Sequence, residues 1–204
     1  MPATSDAVFI NVPFDSRYKK LFDALVFAVH DCGFFARSAR EEDDSSKVRL
    51  DKLYQIIREC RFGIHDLSRT SLDTRNQLPR FNMPLELGIF LGAKKYGGAT
   101  QALKSCLILD REQFRYQIFC SDIAGQDIRA HNNDTAQAIA AVRNWLTANR
   151  HGKMIPGAGR MQNRYVNFRL ELPAIARAAR LDVRELTFLD YRTLVTGWLD
   201  ENSW

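Results

Sequence analysis

Short apolar runs alternate with longer stretches of helical period along the first half of the chain. The run VFINVPF (8–14), closed by Pro13, predicts a buried first strand. Leu21, Leu25, Ala28 and Val29 then fall on one helical face, and the helix ends over Asp31 to Gly33. GFFARSA predicts a second strand from Gly33, and the acidic run 41–44 with Ser45 and Ser46 predicts a loop. Val48, Leu50, Leu53, Ile56 and Ile57 fit a second helix, which leads into a strand over 61–67. A polar loop follows over 68–81. Asn82 suits the cap of a third helix, Pro84 suits its first turn, and Leu85, Ile89, Phe90 and Ala93 make its expected buried side. CLILD (106–110) is the fourth strand.

Strands alternating with helices imply right-handed crossovers and a parallel sheet. The expected fold is therefore an open α/β fold, a flavodoxin-like parallel sheet with helices on both faces. After about Gln113 the pattern changes: helices are expected over 134–149, 160–172 and 189–200, and only 184–188 looks strand-like. The division this suggests is an α/β domain over 1–112 and a mainly helical extension over 113–204. Trp145, Phe168, Phe188, Tyr191 and Trp198 would form the core of that extension.

The 204 residues, 46% of them hydrophobic, suffice for one well-buried core. No window approaches the roughly 18 uninterrupted apolar residues of a membrane helix, and the first residues lack the pattern of a secretory signal. A cytoplasmic protein with no membrane partner is the expectation. Cys32, Cys60, Cys106 and Cys120 form no C-x-x-C pair and suit reduced thiols, and the four histidines show no metal-ligand spacing, so neither metal nor cofactor is expected. The net charge of +5 is concentrated over 150–180, where seven basic residues face the single acid Glu171. Such a stripe can bind phosphates, but it lacks the interleaved aromatics of a single-strand binder, so a nucleic-acid partner is not expected.

Open α/β sheets bind ligands at the carboxyl ends of their strands, which brings Phe14, Ser38, Asp66 and the segment before Glu86 towards one crevice. The dipole at a helix N-terminus favours an ionised Glu86 by about 0.3–1 kcal/mol. Asp66, ending a buried strand, is placed to accept hydrogen bonds from sugar hydroxyls. Two such carboxylates are what N-glycosidic cleavage needs, one facing the oxocarbenium-like carbon and the other fixing the ring. The same spacing also allows a dipole-complementing Glu86 and a capping or ion-paired Asp66. If 120–131 is helical, Asp127 and His131 lie one turn apart and suit base recognition or water activation; a polar connection is the other reading. Arg49, opening the second helix, can reach the same mouth, or serve as a surface ion-pair partner.

VFINVPF with its following helix, CRFGIHDLSR and NMPLELGIFLGAKK together resemble the nucleoside 2-deoxyribosyltransferase-like superfamily, which is similar in turn to TIR-domain NAD hydrolases. The likeness covers roughly residues 7–110. It implies that Glu86 attacks or stabilises the anomeric carbon, that Asp66 contacts the sugar, and that Ser38 and Arg40 bind base or phosphate. It also implies that the first strand, through Phe9, Asn11, Pro13 and Phe14, lines the ribose site, with Asn82 at the mouth of the third helix. Phe9 stands where a tyrosine is typical, Val12 where a glycine precedes the proline, and no carboxylate lies between Asp73 and Glu86. These departures move the expectation from deoxyribosyl transfer to hydrolysis of a nucleoside, nucleotide or NAD, with a non-catalytic nucleotide-binding sensor or scaffold as the alternative. The resemblance further implies a homo-oligomer, and leaves a role as a prokaryotic defence effector open. A response-regulator-like receiver would need an acidic pair after the first strand, where this chain has Asn11-Val12-Pro13.

Overall fold

The computed structural model describes residues 6–70, 80–149 and 154–203. Strands β1 (Ala7–Asn11), β2 (Phe35–Arg37), β3 (Phe62–Asp66), β4 (Ser105–Asp110) and β5 (Arg129–Ala130) form one parallel sheet in the order β2-β1-β3-β4-β5. This is the expected open α/β sheet with a helical C-terminal region. The helices are α1 (Lys19–Asp31), α2 (Arg49–Glu59), α3 (Asn82–Tyr96), the short α4 (Ala99–Ala102), α5 (Thr135–Asn149), α6 (Ala158–Ala178) and α7 (Phe188–Glu201).

A strand's alternation sorts its side chains between two faces. Val8, Ile10, Phe62 and Ile64 pack with α1 and α5, whereas Ala7 and Phe9 pack with Leu53, Ile56 and Ile57 of α2 and Phe90 of α3. Gly63 shares that second face with Phe90 and His65, which close over it. A Cβ at Gly63 would lie 2.7 Å from His65 Nε2 and 2.9 Å from Phe90.

Helix α1 is buried almost all round, not on the one face expected. Phe22, Val26 and Phe27 are as enclosed as Leu25 and Ala28. The cause is a second helical layer, in which α6 and α7 pack on the side of α1 that the sheet does not cover. Phe27 contacts Tyr165, Phe168 and Trp198 at ring separations of 5.3–6.0 Å. Two buried acids of α1 pair with the basic stripe: Asp31 with Arg164 at 3.1 Å and Asp23 with Arg169 at 3.0 Å. Gly33, at φ 77°, turns the chain from α1 into β2, a conformation that costs a glycine little.

Several elements depart from expectation. The boundary expected at residue 112 falls between two paired strands, because β5 extends the sheet beside β4. Residues 184–188 are a turn and the first residue of α7, not a strand; the helix opens on a capping box between Thr187 and Asp190. Helix α6 runs to Ala178 through Pro173, past the expected end at 172. Asn82 is the first helical residue of α3 and makes no side-chain cap. The face of α3 is rotated as well: Met83, Glu86, Leu87 and Phe90 are buried, while Leu85 is 56% exposed. The expected aromatic core residues Trp145, Phe168, Phe188, Tyr191 and Trp198 are all buried, as are Cys32 and Cys60. Residues 71–79, read as part of the polar loop, lie outside the described residues, as do Arg150, His151 and Lys153. No helix among the described residues is long and apolar enough to cross a membrane.

Gly63→Ala forces the new methyl into His65 and Phe90. The expected cost is about 1–3 kcal/mol, read as a lower urea midpoint at unchanged slope.

Candidate active site at the carboxyl edge of the sheet

Asp66 and Glu86 lie on different sides of the sheet. The two-residue alternation that turns Phe62 and Ile64 towards α1 turns Asp66 the same way, whereas Glu86 belongs to α3 on the opposite face. Asp66 is fully buried, and its carboxylate accepts from the Tyr18 hydroxyl, from His131 Nε2 at 2.9 Å and from the Ser68 amide at 2.7 Å. The Asn133 amide donates to His131 Nδ1 at 3.0 Å, so Nε2 carries the proton given to Asp66. Burial alone would raise the pKa of Asp66, but the hydrogen bonds from His131, Ser68 and Tyr18 outweigh it and hold the group below the ordinary carboxylate value. The same burial, reinforced by the adjacent Asp66, drives the Tyr18 hydroxyl well above its usual range.

Glu86 is 6% exposed and sits at the edge of a recess of about 120 Å³. Asn11, Val12, Pro13, Phe14, Arg49, Arg80, Asn82 and Met83 line the rest. Burial pushes Glu86 up to about 7, against a smaller opposing pull from the Arg49 guanidinium. Glu86 is the fifth residue of α3, past the first turn in which the helix dipole was expected to favour the ionised form, and near neutral pH this carboxyl is poised between its two states. Asn11 is fixed beside it: its amide nitrogen donates to His65 Nδ1 at 3.0 Å and to the Met83 carbonyl at 2.9 Å. Both amide hydrogens are used, which leaves Oδ1 as the group Asn11 can offer a ligand, an acceptor suited to a hydroxyl. His65 is in turn fully buried, and its pKa falls to about 3, chiefly through burial and secondarily through the charge of Lys104.

Phe14 and Pro13 also line a second recess of about 160 Å³, towards α7. Asp15 holds their loop, accepting from the Tyr18 amide at 3.1 Å and pairing with Arg69 at 3.2 Å and Arg80 at 3.6 Å.

Of the residues expected from sequence, Glu86, Asn11, Pro13, Phe14, Arg49 and Asn82 meet around one recess. Arg40 lines the second, its guanidinium 5.2 Å from the centre of the Phe14 ring. Phe9 does not line either: it is fully buried against α2 and α3, edge-on to His65 at 5.9 Å. Nor does Ser38, which is buried with its amide donating to Glu41 at 3.2 Å. Within 120–131 only Ser121–Ile123 form a short 3-10 helix, and the segment from Asp127 to His131 is not helical, so these two are not a pair. Asp127 is exposed and lies 4.0 Å from Arg129, while His131 turns inward to Asp66. Arg80 and Tyr18 were not foreseen. The signal for Tyr18 was an aromatic with a polar tip at the entrance to a helix. Among the described residues no group of histidine, cysteine and acidic side chains is placed to hold a metal.

Comparison of the chain with protein-family models, with curated proteins and with solved structures finds no match.

Two predictions separate the acids. Asp66→Asn replaces a three-fold acceptor with a group that presents N–H to donors; its expected cost is more than about 2 kcal/mol, measured by chemical denaturation. Glu86 should behave in the opposite sense. Its folded pKa of about 7 exceeds the ordinary 4.5, so ionisation opposes folding: the penalty is absent below pH about 4.5, grows between these values and is complete above about 7. Glu86→Gln should therefore match the parent chain in acid and exceed it in stability above pH 7, by on the order of 3 kcal/mol, as read by chemical denaturation across that pH range.

Proposed function

We propose that the protein hydrolyses the N-glycosidic bond of a nucleoside, nucleotide or NAD, with Glu86 as nucleophile or stabiliser of the anomeric carbon. One observation carries the reading: a carboxyl group buried on the apolar face of α3, at the ligand-binding edge of a parallel sheet, in a recess rimmed by Arg49 and Arg80. In the reaction the bond between the anomeric carbon and the base nitrogen breaks, and its electron pair leaves with the base. Positive charge then develops on the sugar next to the Glu86 carboxylate. Water adds its oxygen to that carbon; the proton it sheds goes to the departing base of a nucleoside or nucleotide and, for NAD, whose nicotinamide leaves neutral, to solvent. Asn11 Oδ1 takes the sugar-hydroxyl contact expected of Asp66, whose acceptors are committed within the fold. Asp66 is a positioning residue, acting through Tyr18 and the loop that carries Phe14. Arg49 and Arg80 suit the phosphate of a nucleotide or dinucleotide.

A second reading, a nucleotide-binding module without chemistry, is favoured by the fact that Glu86 is the sole carboxyl group among the described residues lining its recess, with no second acid or histidine to move a proton.

Incubation of the pure protein with nucleosides, nucleotides and NAD, followed by chromatography of released base, distinguishes the two. Hydrolysis predicts base release that rises with pH through about 7 as Glu86 ionises, and falls by about 10²–10³-fold or more in Glu86→Gln. Tight nucleotide binding with no product establishes the second reading, and unchanged turnover in Glu86→Gln removes the first.

A further inference from the structure

The recess on the far side of Phe14 has a different chemistry from the one at Glu86. Its walls are aromatic: Phe14 meets Phe22 edge to face at 6.0 Å, and Phe22 lies nearly parallel to Phe188 of α7, with ring centres 5.7 Å apart and 26° between planes. Its polar lining is Asp15, Ser16, Lys19, Asp23, Arg40 and Thr187. Lys19 bonds Asp23 at 3.1 Å with its ammonium 5.5 Å from the Tyr191 ring, and Arg40 lies over Phe14. Flat rings stack or pack edge-on against such walls; Lys19 and Arg40 supply donors for the ring nitrogens or oxygens of a heteroaromatic ring, and Asp15 and Asp23 supply acceptors for its amino groups.

Size supports the same assignment. At about 120 and 160 Å³ neither recess approaches the roughly 300 Å³ at which sites for whole small molecules begin. Each suits one part of a ligand, and Pro13 and Phe14 line both, which makes them compartments of one crevice at the end of β1. We propose that the aromatic recess is a base subsite: it takes the flat heteroaromatic ring of a ligand whose sugar lies at Glu86, the two parts bridging over Phe14. The C-terminal region supplies its outer wall through Leu186, Phe188 and Tyr191. This assignment rests on the reading of the Glu86 recess as a sugar site.

Protein-observed NMR of the full chain, titrated separately with adenine, hypoxanthine and nicotinamide, tests it. At least one of these should shift the amide signals of Ser16, Lys19 and Thr187. Leu186→Trp and, from the exposed opposite lip, Ser16→Trp should each weaken that binding about tenfold or more, while Glu86→Gln leaves it unchanged. The assignment is overturned if none of the three bases moves those signals, if the shifts cluster at Arg49 and Asn82 instead, if Glu86→Gln abolishes binding, or if both tryptophan variants bind as the parent does. Base binding is read without turnover. A chain that binds base here yet releases none from any nucleoside or nucleotide keeps the subsite and loses the hydrolase reading.

Discussion

A fully buried carboxylate must be met by donors, and Asp66 meets that demand with three from three parts of the chain. Tyr18 comes from the entrance to α1, Ser68 from the loop after β3, and His131 from the exit of β5. Satisfying one group therefore places three segments at the carboxyl edge of the sheet. The β1–α1 connection is the segment most constrained by this. Asn11 is tied to His65 and Met83 at one end, Tyr18 to Asp66 at the other, and Asp15 accepts from the Tyr18 amide in between. What is left to arch outward is Pro13-Phe14, the wall common to both recesses.

The two acids of this edge illustrate how one functional group is given opposite roles. Both are buried, and burial pushes both pKa values upward. Donors decide the outcome: hydrogen bonds hold Asp66 ionised below the ordinary range, whereas for Glu86 the opposing pull of Arg49 leaves the carboxyl near 7. An acid locked into one state by three donors holds structure. An acid balanced between states beside a recess is suited to reaction or to ligand-dependent ionisation. The sheet lies between the two, with Asp66 turned to its α1 face and Glu86 carried by α3 on the other.

Much of this was legible in the apolar pattern. Strands β1 to β4 and the long helices followed from runs and periods, and the parallel order from their alternation. Strand β5 was not legible, because two residues carry no period. The face of α3 was misread for a physical reason: Leu85, Ile89 and Ala93 form as good an apolar stripe as Met83, Leu87 and Phe90, and the true face was marked by the acid within it. Glu86 falls between Met83 and Leu87 in helical register, and an acid placed there signals a cavity. The pairing of Asp66 with His131 depends on chain segments 65 residues apart, which local spacing does not encode. Residues 184–188 alternate as a strand would, yet Thr187 and Asp190 at capping-box spacing already marked a helix start.

The C-terminal region is bound to the site through α1. That helix carries no charge between Asp23 and His30, a composition that only enclosure on all sides explains, and the sheet can cover one side alone. Helices α6 and α7 cover the other, and two arginines of α6, Arg164 and Arg169, pair with the two acids that α1 buries. Phe22 belongs to both worlds: it packs in the main core, and its ring stacks on Phe188 and meets Phe14. A shift of α7 therefore moves the partner of the ring that supports Phe14, and with it the wall between the recesses. The packing that stabilises α1 and the geometry that shapes the crevice are the same set of contacts.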